Sequence, residues 1–184
     1  MDFQPNLEQT LRSLQVGHLS VEDALEQING VKELGYAAID TDRQRRNGFP
    51  EVVYGEGKTV EQMEGILQFL SQKELPILTT RVSLQKGEAL SQRFPTGHYY
   101  PEARCFVLNS KKEEADPEHY IAVVTAGTSD VPVAEEAAVT AETFGHSVRR
   151  IYDVGVAGIH RLFNRLEEIQ KASVIIVIAG MEGA

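Results

Sequence analysis

YIAVVTAGTSDVPVAEEAAVTAETFG, residues 120–145, is the stretch that decides the fold. It begins with the apolar run 121–126, which is typical of a buried parallel strand, and passes through a Gly-Thr-Ser-Asp turn. Pro132 suits the first turn of a helix, and Gly145 suits the position just after a helix ends. The pattern predicts a strand, a turn and a helix, which is the βα unit of nucleotide-binding folds.

The turn of this unit is a candidate anion site. It places the backbone amides of Gly127, Thr128 and Ser129 at a helix beginning, where amides have no intrahelical partner and the helix dipole is positive. Asp130 would repel a dianionic phosphate, but it would accept a hydrogen bond from a ribose hydroxyl or hold a water. The alternative is an ordinary turn in which Asp130 caps the helix, and the residues alone leave both interpretations open.

The same order of elements continues downstream. Residues 151–152 end a short strand, and the spacing of Gly155 and Gly158 predicts a helix that carries His160 and Arg161. The arginine would pair with a carboxylate or phosphate of a ligand. The simpler interpretation is a solvated helix face with a bystander histidine.

The last stretch, SVIIVIAGMEGA at 173–184, predicts another buried strand that runs into a turn with Gly180, Met181 and Glu182. A carboxylate at the end of such a strand can position a water or bind a metal. The alternative is a solvent-exposed glutamate. Because an apolar strand needs cover on both faces, we expect a helix after Ala184 and a parent protein that is longer.

Upstream, helical spacing of apolar residues predicts helices at 7–14 and 21–28, and the run 35–40 predicts a strand. Thr59 and Gln62 have the spacing of a capping box for a further helix that ends near Lys73. Beyond it we predict strands at 76–82 and 103–108, with a helix between them at 84–94 that Gly87 interrupts. The charged segment 109–118 has no apolar anchor and is the predicted linker.

A mixed-charge segment follows the first predicted strand. Asp40, Arg43, Arg46 and Glu51, with Lys58 further on, could meet the diphosphate or the pyridine carboxylate of a dinucleotide. The alternative is a solvated loop with internal salt bridges.

Composition narrows the function class. The 184 residues are 42% hydrophobic and carry a net charge of −9, which argues against a nucleic-acid scaffold. No apolar run approaches a membrane span and the N-terminus lacks a signal-peptide pattern, so we expect a soluble cytoplasmic protein. Cys105 is the one cysteine, which excludes an internal disulfide framework and a multi-thiolate zinc site.

Four stretches carry a resemblance to a known family: DTDRQRRNGFPEVVYGEGKT (40–59), AGTSDVPVAEEAAVTAE (126–142), YDVGVAGIHRL (152–162) and VIAGMEGA (177–184). On these stretches the chain resembles the LarB family of nickel-pincer nucleotide cofactor biosynthesis, whose C-terminal half is similar to the PurE carboxylase/mutase family. The resemblance covers the chain from Gly35 onward. Its most specific part is 40–59, because PurE proteins lack that segment.

The resemblance implies an α/β fold of two domains. A small N-terminal α/β domain over 1–108 and the linker over 109–118 would precede a PurE-like domain over 119–184. This second domain would be a parallel sheet in a flavodoxin- or Rossmann-like three-layer arrangement, incomplete at its C-terminus. PurE-like domains assemble as octamers, so we expect a homo-oligomer.

The resemblance also implies site residues. The Ser-Asp pair lies in the active site of PurE-like proteins and the Glu of Gly-Met-Glu-Gly lies in the catalytic pocket of LarB proteins, so Ser129, Asp130 and Glu182 are predicted to be catalytic. The residues predicted to bind substrate are Gly127, Thr128, Asp40, Arg43, Arg46, Glu51, Lys58, His160, Arg161, Gly180 and Met181. No residue is assigned as a metal ligand.

The implied reaction converts nicotinic acid adenine dinucleotide and carbon dioxide or bicarbonate to pyridinium-3,5-biscarboxylic acid mononucleotide and AMP. A family cysteine would add to the pyridinium ring as thiolate, which makes a ring carbon nucleophilic. Glu182 would direct water at the phosphoanhydride, with Mg²⁺ as an optional cofactor and none held covalently. Cys105 is not that cysteine: it lies in the apolar run 103–108, and the family's cysteine follows the Gly-Met-Glu-Gly-Ala motif.

Two alternatives stay open. The chain could be a PurE-type enzyme that moves a carboxylate on aminoimidazole ribonucleotide, although 40–59 argues against this. It could also be a fragment that binds nucleotide or an oligomer partner without catalysis, which the lack of a family cysteine favours.

Overall fold

The computed structural model describes residues 7–73, 75–110, 116 and 118–181. Contacts divide the chain into two compact units, Met1–Glu51 and Val52–Ala184. The predicted boundary at 109–118 lies inside the second unit and stays a prediction, and its residues 111–115 and 117 lie outside the described residues.

The first unit holds two helices, a hairpin and a short third helix. In chain order these are α1 (Leu7–Gln15), α2 (Val21–Asn29), β1 (Val31–Glu33), β2 (Ala38–Asp40) and α3 (Arg43–Asn47). The strands are antiparallel, with Val31 opposite Asp40. The Ser20 side chain accepts a hydrogen bond from the Asp23 amide at 3.0 Å, which caps α2. Both predicted helices are confirmed, whereas β1 was not predicted because three residues show no period.

The second unit begins with a mixed sheet and two helices. The elements are β3 (Val52–Tyr54), α4 (Val60–Ser71), β4 (Ile77–Thr80), α5 (Leu84–Arg93), β5 (His98–Tyr100) and β6 (Cys105–Leu108). The strand order is β3-β4-β6-β5, in which only the β3 and β4 pair is parallel. The predicted capping box is confirmed: the Gln62 amide donates to Thr59 Oγ1, and the Thr59 amide donates to Gln62 Oε1.

Gly87 does not interrupt α5, so that prediction is wrong. A Cβ at Gly87 would lie 2.5 Å from the ring of Tyr99. The glycine therefore lets β5 pack closely on the helix, and the packing offsets the low helix propensity of glycine.

The second unit continues with a parallel sheet in three layers. Its elements are β7 (Ile121–Thr125), α6 (Val131–Thr143), β8 (Val148–Ile151), α7 (Ile159–Gln170) and β9 (Val174–Ile178). The strand order is β8-β7-β9, and both pairs are parallel. Ala138 of α6 packs on Val123, and Leu162 of α7 packs on the opposite face with Val124. The predicted α/β fold with a three-layer, PurE-like parallel sheet is confirmed.

Helix α6 joins the two sheets of the second unit. Its Val139 packs in one buried cluster with Leu78 of β4 and with Cys105 and Val107 of β6. This shared apolar cluster explains why residues on both sides of the predicted linker belong to one compact unit.

Candidate functional site

Three strand ends meet at one edge of the parallel sheet. Because β7, β8 and β9 run in the same direction, the loops that follow them lie at the carboxyl edge. The Ala126 amide donates to the Ile178 carbonyl at 3.2 Å, which holds the end of β7 against the end of β9. The chain leaves β7 toward β8 on one side and later returns on the other side as β9. Parallel sheets bind ligands at such a switch point, so these loops form the candidate site.

The loop after β7 is closed by its own carboxylate. The Gly127 amide donates to Asp130 Oδ2 at 3.0 Å, and a 3₁₀ turn over Thr128–Asp130 leads into α6. The prediction of three unoccupied amides is therefore corrected, because Asp130 occupies one of them. Thr128 and Ser129 begin the turn, where no preceding helical carbonyl reaches their amides. Ser129 is exposed and Asp130 is half-buried beside it.

The loop after β8 is pinned to the end of β7. The Asp153 amide donates to the buried Thr125 Oγ1 at 3.0 Å, and the Gly155 amide donates to the Ala126 carbonyl at 2.8 Å. A Cβ at Gly155 would lie 2.7 Å from that carbonyl oxygen, so only glycine permits this approach. Asp153 itself has a φ of 60°. The position of this loop is thus set by close backbone contacts.

His160 and Arg161 both lie on α7, as predicted, but only Arg161 has an ion-pair partner among the described residues. The Arg161 guanidinium pairs with the Asp153 carboxylate, so its partner in this structure is a side chain of the chain itself. His160 is exposed. Asp153 was not predicted as a site residue. The available signal was a polar residue two positions after a strand end, inside the quoted motif at 152–162.

The loop after β9 is described only in part. Gly180 and Met181 are exposed, and the Met181 side chain is 80% accessible. Glu182, the predicted catalytic carboxylate, lies outside the described residues. The predictions for this loop stay predictions.

The charged segment after β2 comes together in part. The Asp40 amide donates to Glu51 Oε2 at 2.8 Å, and the Asp40 carboxylate pairs with Arg46. Arg43 is the first residue of α3. Lys58 belongs to the other compact unit and lies in the loop before α4. The structure shows the internal ion pairs of the simpler interpretation, and substrate binding by these residues stays a prediction.

Comparison with known proteins agrees with this architecture. Residues 31–111 match the family described as the LarB/PurE-like N-terminal domain. An uncharacterized protein of Methanocaldococcus jannaschii is 35% identical over 189 residues, an alignment that covers 97% of this chain and 74% of the relative. The chain belongs to the LarB-like family. Membership of a LarB/PurE-like family points to a carboxylase-type enzyme.

Cys105 of this LarB-like chain is a buried thiol, as its apolar surroundings predicted. It is fully buried in β6, and its Sγ contacts the Ala103 carbonyl at 3.3 Å. Burial raises the pKa of the Cys105 thiol to about 12, while the field of Arg81 lowers it only in part. The thiol is therefore protonated at neutral pH and is no nucleophile.

Sequence reasoning also missed a group of cations in the LarB-like second unit. Arg81 follows β4, Lys86 is on α5 and Arg104 precedes β6, yet all three act on the loop between β3 and α4. These residues lie far apart in the sequence, which left no local pattern. The one available signal was the Gly-Glu-Gly-Lys-Thr loop at 55–59, which leads from a strand into a capped helix.

Membrane spans and metal centres are both lacking in the described parts of this LarB-like chain. No helix there is long and apolar enough to cross a membrane. No three side chains of His, Cys, Asp or Glu gather there as metal ligands.

Proposed function

We propose that this chain acts on nicotinic acid adenine dinucleotide in the LarB reaction. In that reaction carbon dioxide or bicarbonate carboxylates the pyridinium ring, and the phosphoanhydride is cleaved to release AMP. The match of residues 31–111 to the LarB/PurE-like N-terminal domain is the observation that carries the proposal. The carboxyl edge of the parallel sheet, with Ser129 and Asp130 side by side, supports it as a place for the ring and ribose.

Asp130 and Ser129 have distinct roles in this proposal. The Gly127 amide holds Oδ2 of Asp130 at 3.0 Å, which orients the carboxylate. An oriented carboxylate can accept the ring proton that leaves after carboxylation, or it can bind a ribose hydroxyl. The exposed Ser129 hydroxyl can donate to the pyridine carboxylate.

The proposed carboxylation requires a cysteine nucleophile, and Cys105 does not fit this role. Ring carboxylation needs a thiolate to raise the electron density of the pyridinium ring, and Cys105 is buried and protonated. The 184 residues contain no other cysteine. The burial of Cys105 favours a second candidate function for these residues, in which they bind the dinucleotide without carboxylating it.

The test is incubation of the protein with nicotinic acid adenine dinucleotide and isotope-labelled bicarbonate, with and without Mg²⁺. Mass spectrometry follows AMP and a doubly carboxylated pyridinium mononucleotide that carries the label. Formation of both products supports the proposal. Aminoimidazole ribonucleotide in a parallel reaction tests the PurE-type alternative, which carboxylation of that substrate alone would establish.

Matched variants connect the result to the site. Asp130→Asn and Ser129→Ala should lower product formation or dinucleotide affinity by about tenfold or more, since each removes a group placed on the substrate. Ser173→Ala is the control, because Ser173 is an exposed serine at the amino end of the same sheet. Dinucleotide affinity in calorimetry with no product identifies the binding-only function. If the dinucleotide does not bind and no product forms, both candidate functions are contradicted.

A further inference from the structure

Four cationic side chains gather at the carboxyl end of the parallel pair β3 and β4. They are Lys58, Arg81, Lys86 and Arg104, and they come from four different segments of the second unit. Arg81, Lys86 and Arg104 are not among the residues predicted to form the candidate site at the parallel sheet. In a chain of net charge −9, such a local excess of positive charge requires an explanation.

The loop at 55–59 is the centre of this cation cluster. The Gly55 amide donates to the Thr80 carbonyl at 2.8 Å, and a Cβ there would lie 2.9 Å from that oxygen. Lys86 Nζ contacts the Gly55 carbonyl at 3.3 Å, and Lys58 Nζ donates to the Tyr54 carbonyl at 2.9 Å. Both ammonium groups are thus held at one backbone loop, directly before α4 begins.

The two arginines belong to two further segments, which follow β4 and precede β6. Arg81 has a φ of 56° and Arg104 a φ of 51°, a left-handed backbone that side chains rarely adopt. The Val82 amide donates to the Arg104 carbonyl at 2.8 Å, which joins the two segments. Arg81 pairs with Glu136 of α6 at 2.9 Å. The exposed Arg104 guanidinium pairs with no carboxylate among the residues that the structure describes.

The electrostatics of the loop carboxylate show that the cations act at one point. The hydrogen bond from the Tyr54 hydroxyl lowers the pKa of the Glu56 carboxyl, and the fields of Arg104, Arg81 and Lys86 lower it further. Glu56 is itself exposed. An anion from solution that reaches this loop therefore meets several cations, one exposed carboxylate that Tyr54 holds, and Glu136, which is paired with Arg81.

We propose that this cation cluster binds the phosphate groups of a nucleotide. Two guanidinium groups can make bidentate hydrogen bonds to phosphate oxygens, while two ammonium groups supply point charges. The start of α4, capped by Thr59, follows the loop directly and adds the positive end of a helix dipole. The site takes phosphate or diphosphate rather than a neutral nucleoside.

The identity of that phosphate follows from α6 and rests on the proposed function. Glu136, the partner of Arg81, lies six residues after Asp130, about 9 Å along the axis of α6. One dinucleotide can span that length. The cation cluster would then hold the diphosphate of the substrate while its ring lies at the loop of Ser129 and Asp130.

Calorimetry tests the site without any turnover. The intact chain is titrated with pyrophosphate and AMP, and with adenosine as the neutral control. We expect the two phosphates to bind and adenosine not to bind, with affinity that falls as salt rises. Binding of adenosine as tight as that of AMP would overturn the proposal, and so would the failure of both phosphates to bind.

Charge variants assign the binding to the cluster. Arg104→Gln and Lys86→Gln should each weaken pyrophosphate affinity by about tenfold, because each removes a charge-assisted contact. Lys171→Gln removes the same charge from an exposed ion pair at the C-terminal end of α7 and should leave pyrophosphate affinity unchanged. The proposal would be overturned if Arg104→Gln and Lys86→Gln bound pyrophosphate as tightly as the control Lys171→Gln.

Arg104→Gly separates binding from folding. Glycine adopts the left-handed backbone at this position without strain, so the thermal midpoint should stay level or rise while affinity falls as in Arg104→Gln. Retained affinity would contradict the proposal. If pyrophosphate binds as expected but no carboxylated product forms, the cation cluster stands and the proposed reaction fails. If product forms with an unchanged KM in these variants, the assignment to the substrate diphosphate fails.

Discussion

Two strand-to-helix loops of the second unit share one local pattern and have opposite surroundings. The loop at 55–59 joins β3 to α4, and the loop at 127–130 joins β7 to α6. Cations from distant segments surround the first. In the second, Asp130 of the loop itself accepts from the Gly127 amide. The sequence made the second loop a candidate anion cradle, with a capped turn as the alternative, and gave no sign of the cations at the first loop.

The difference shows that a glycine-rich turn before a helix is not by itself an anion site. Backbone amides and the helix dipole are common to every helix beginning. What distinguishes the two loops is which side chains the fold brings to them. A carboxylate suits a hydroxyl or a proton, and a group of cations suits a phosphate.

The largest expected effect concerns Cys105, which directly follows Arg104 at the cation-rich end. Alkylation of the native protein with iodoacetamide near neutral pH should be more than about 100-fold slower than alkylation of the chain unfolded in urea. Burial raises the pKa of this thiol to about 12, and the neighbouring cation does not reverse this. Rates within about tenfold of each other would show that the cations dominate over burial.

The same thiol predicts a pH dependence of stability with a defined sign. Its folded pKa, about 12, is above that of an unfolded cysteine, so the folded state holds the proton more tightly. This contribution is complete below about pH 8.5 and is lost as pH rises toward 12. Urea unfolding of the native chain and of Cys105→Ala should therefore diverge above about pH 9, with the native chain losing stability faster.

Alanine substitutions of the loop glycines compare the two loops directly. Gly55→Ala should cost roughly 1–3 kcal/mol in the free energy of unfolding, because its Cβ would lie 2.9 Å from the Thr80 carbonyl oxygen. Gly127→Ala should stay within about 0.5 kcal/mol, because the nearest atom to its Cβ, on Asp130, is 3.7 Å away. Denaturant unfolding measures both. Equal costs would mean that the two loops are equally tight.

Removal of the loop carboxylate is a smaller change. Asp130→Ala should lower the free energy of unfolding by about 0.5–1.5 kcal/mol, because the Gly127 amide loses its acceptor. Asp130→Asn keeps a side-chain oxygen and is the matched control. Pyrophosphate affinity should be the same in both variants. A loss of that affinity would place the phosphate at the loop of Asp130 and not at the loop of residues 55–59.

The smallest expected effect belongs to the charged segment after β2, where cation and carboxylate are already paired. A double-mutant cycle on Asp40 and Arg46 should give a coupling of about 0–1 kcal/mol that falls with salt, because the pair is partly exposed. Neither single variant should change pyrophosphate affinity. A tenfold loss of affinity would add this segment to the phosphate site.

Much of the fold could be predicted from local patterns. The strand, turn and helix from β7 to α6 and the capped beginning of α4 follow from apolar period and capping within a few residues. The strands β1, β3 and β5 were missed, since three residues cannot show a period. The predicted interruption at Gly87 is absent, because the glycine packs closely against Tyr99 of another element, and the linear pattern carries no sign of that contact.

The candidate site was predicted less completely than the fold. The strand-end position of Ser129 and Asp130 was predictable, because it depends on one βα unit. The pairing of Arg161 with Asp153 and the closing of the Gly127 amide by Asp130 were not predicted, since they depend on side-chain directions within the folded loops. Glu182 lies outside the described residues, and its role stays a prediction.

The sequence by itself determined the strand, turn and helix of residues 120–145, the capped beginning of α4, and the apolar run that contains Cys105. These features arise from interactions within about four residues along the chain, so a linear pattern carries them. Only the tertiary structure decided which loop is surrounded by Arg81, Lys86 and Arg104. An electrostatic field is a sum over all neighbours in space, and those neighbours come from segments that the linear pattern does not connect.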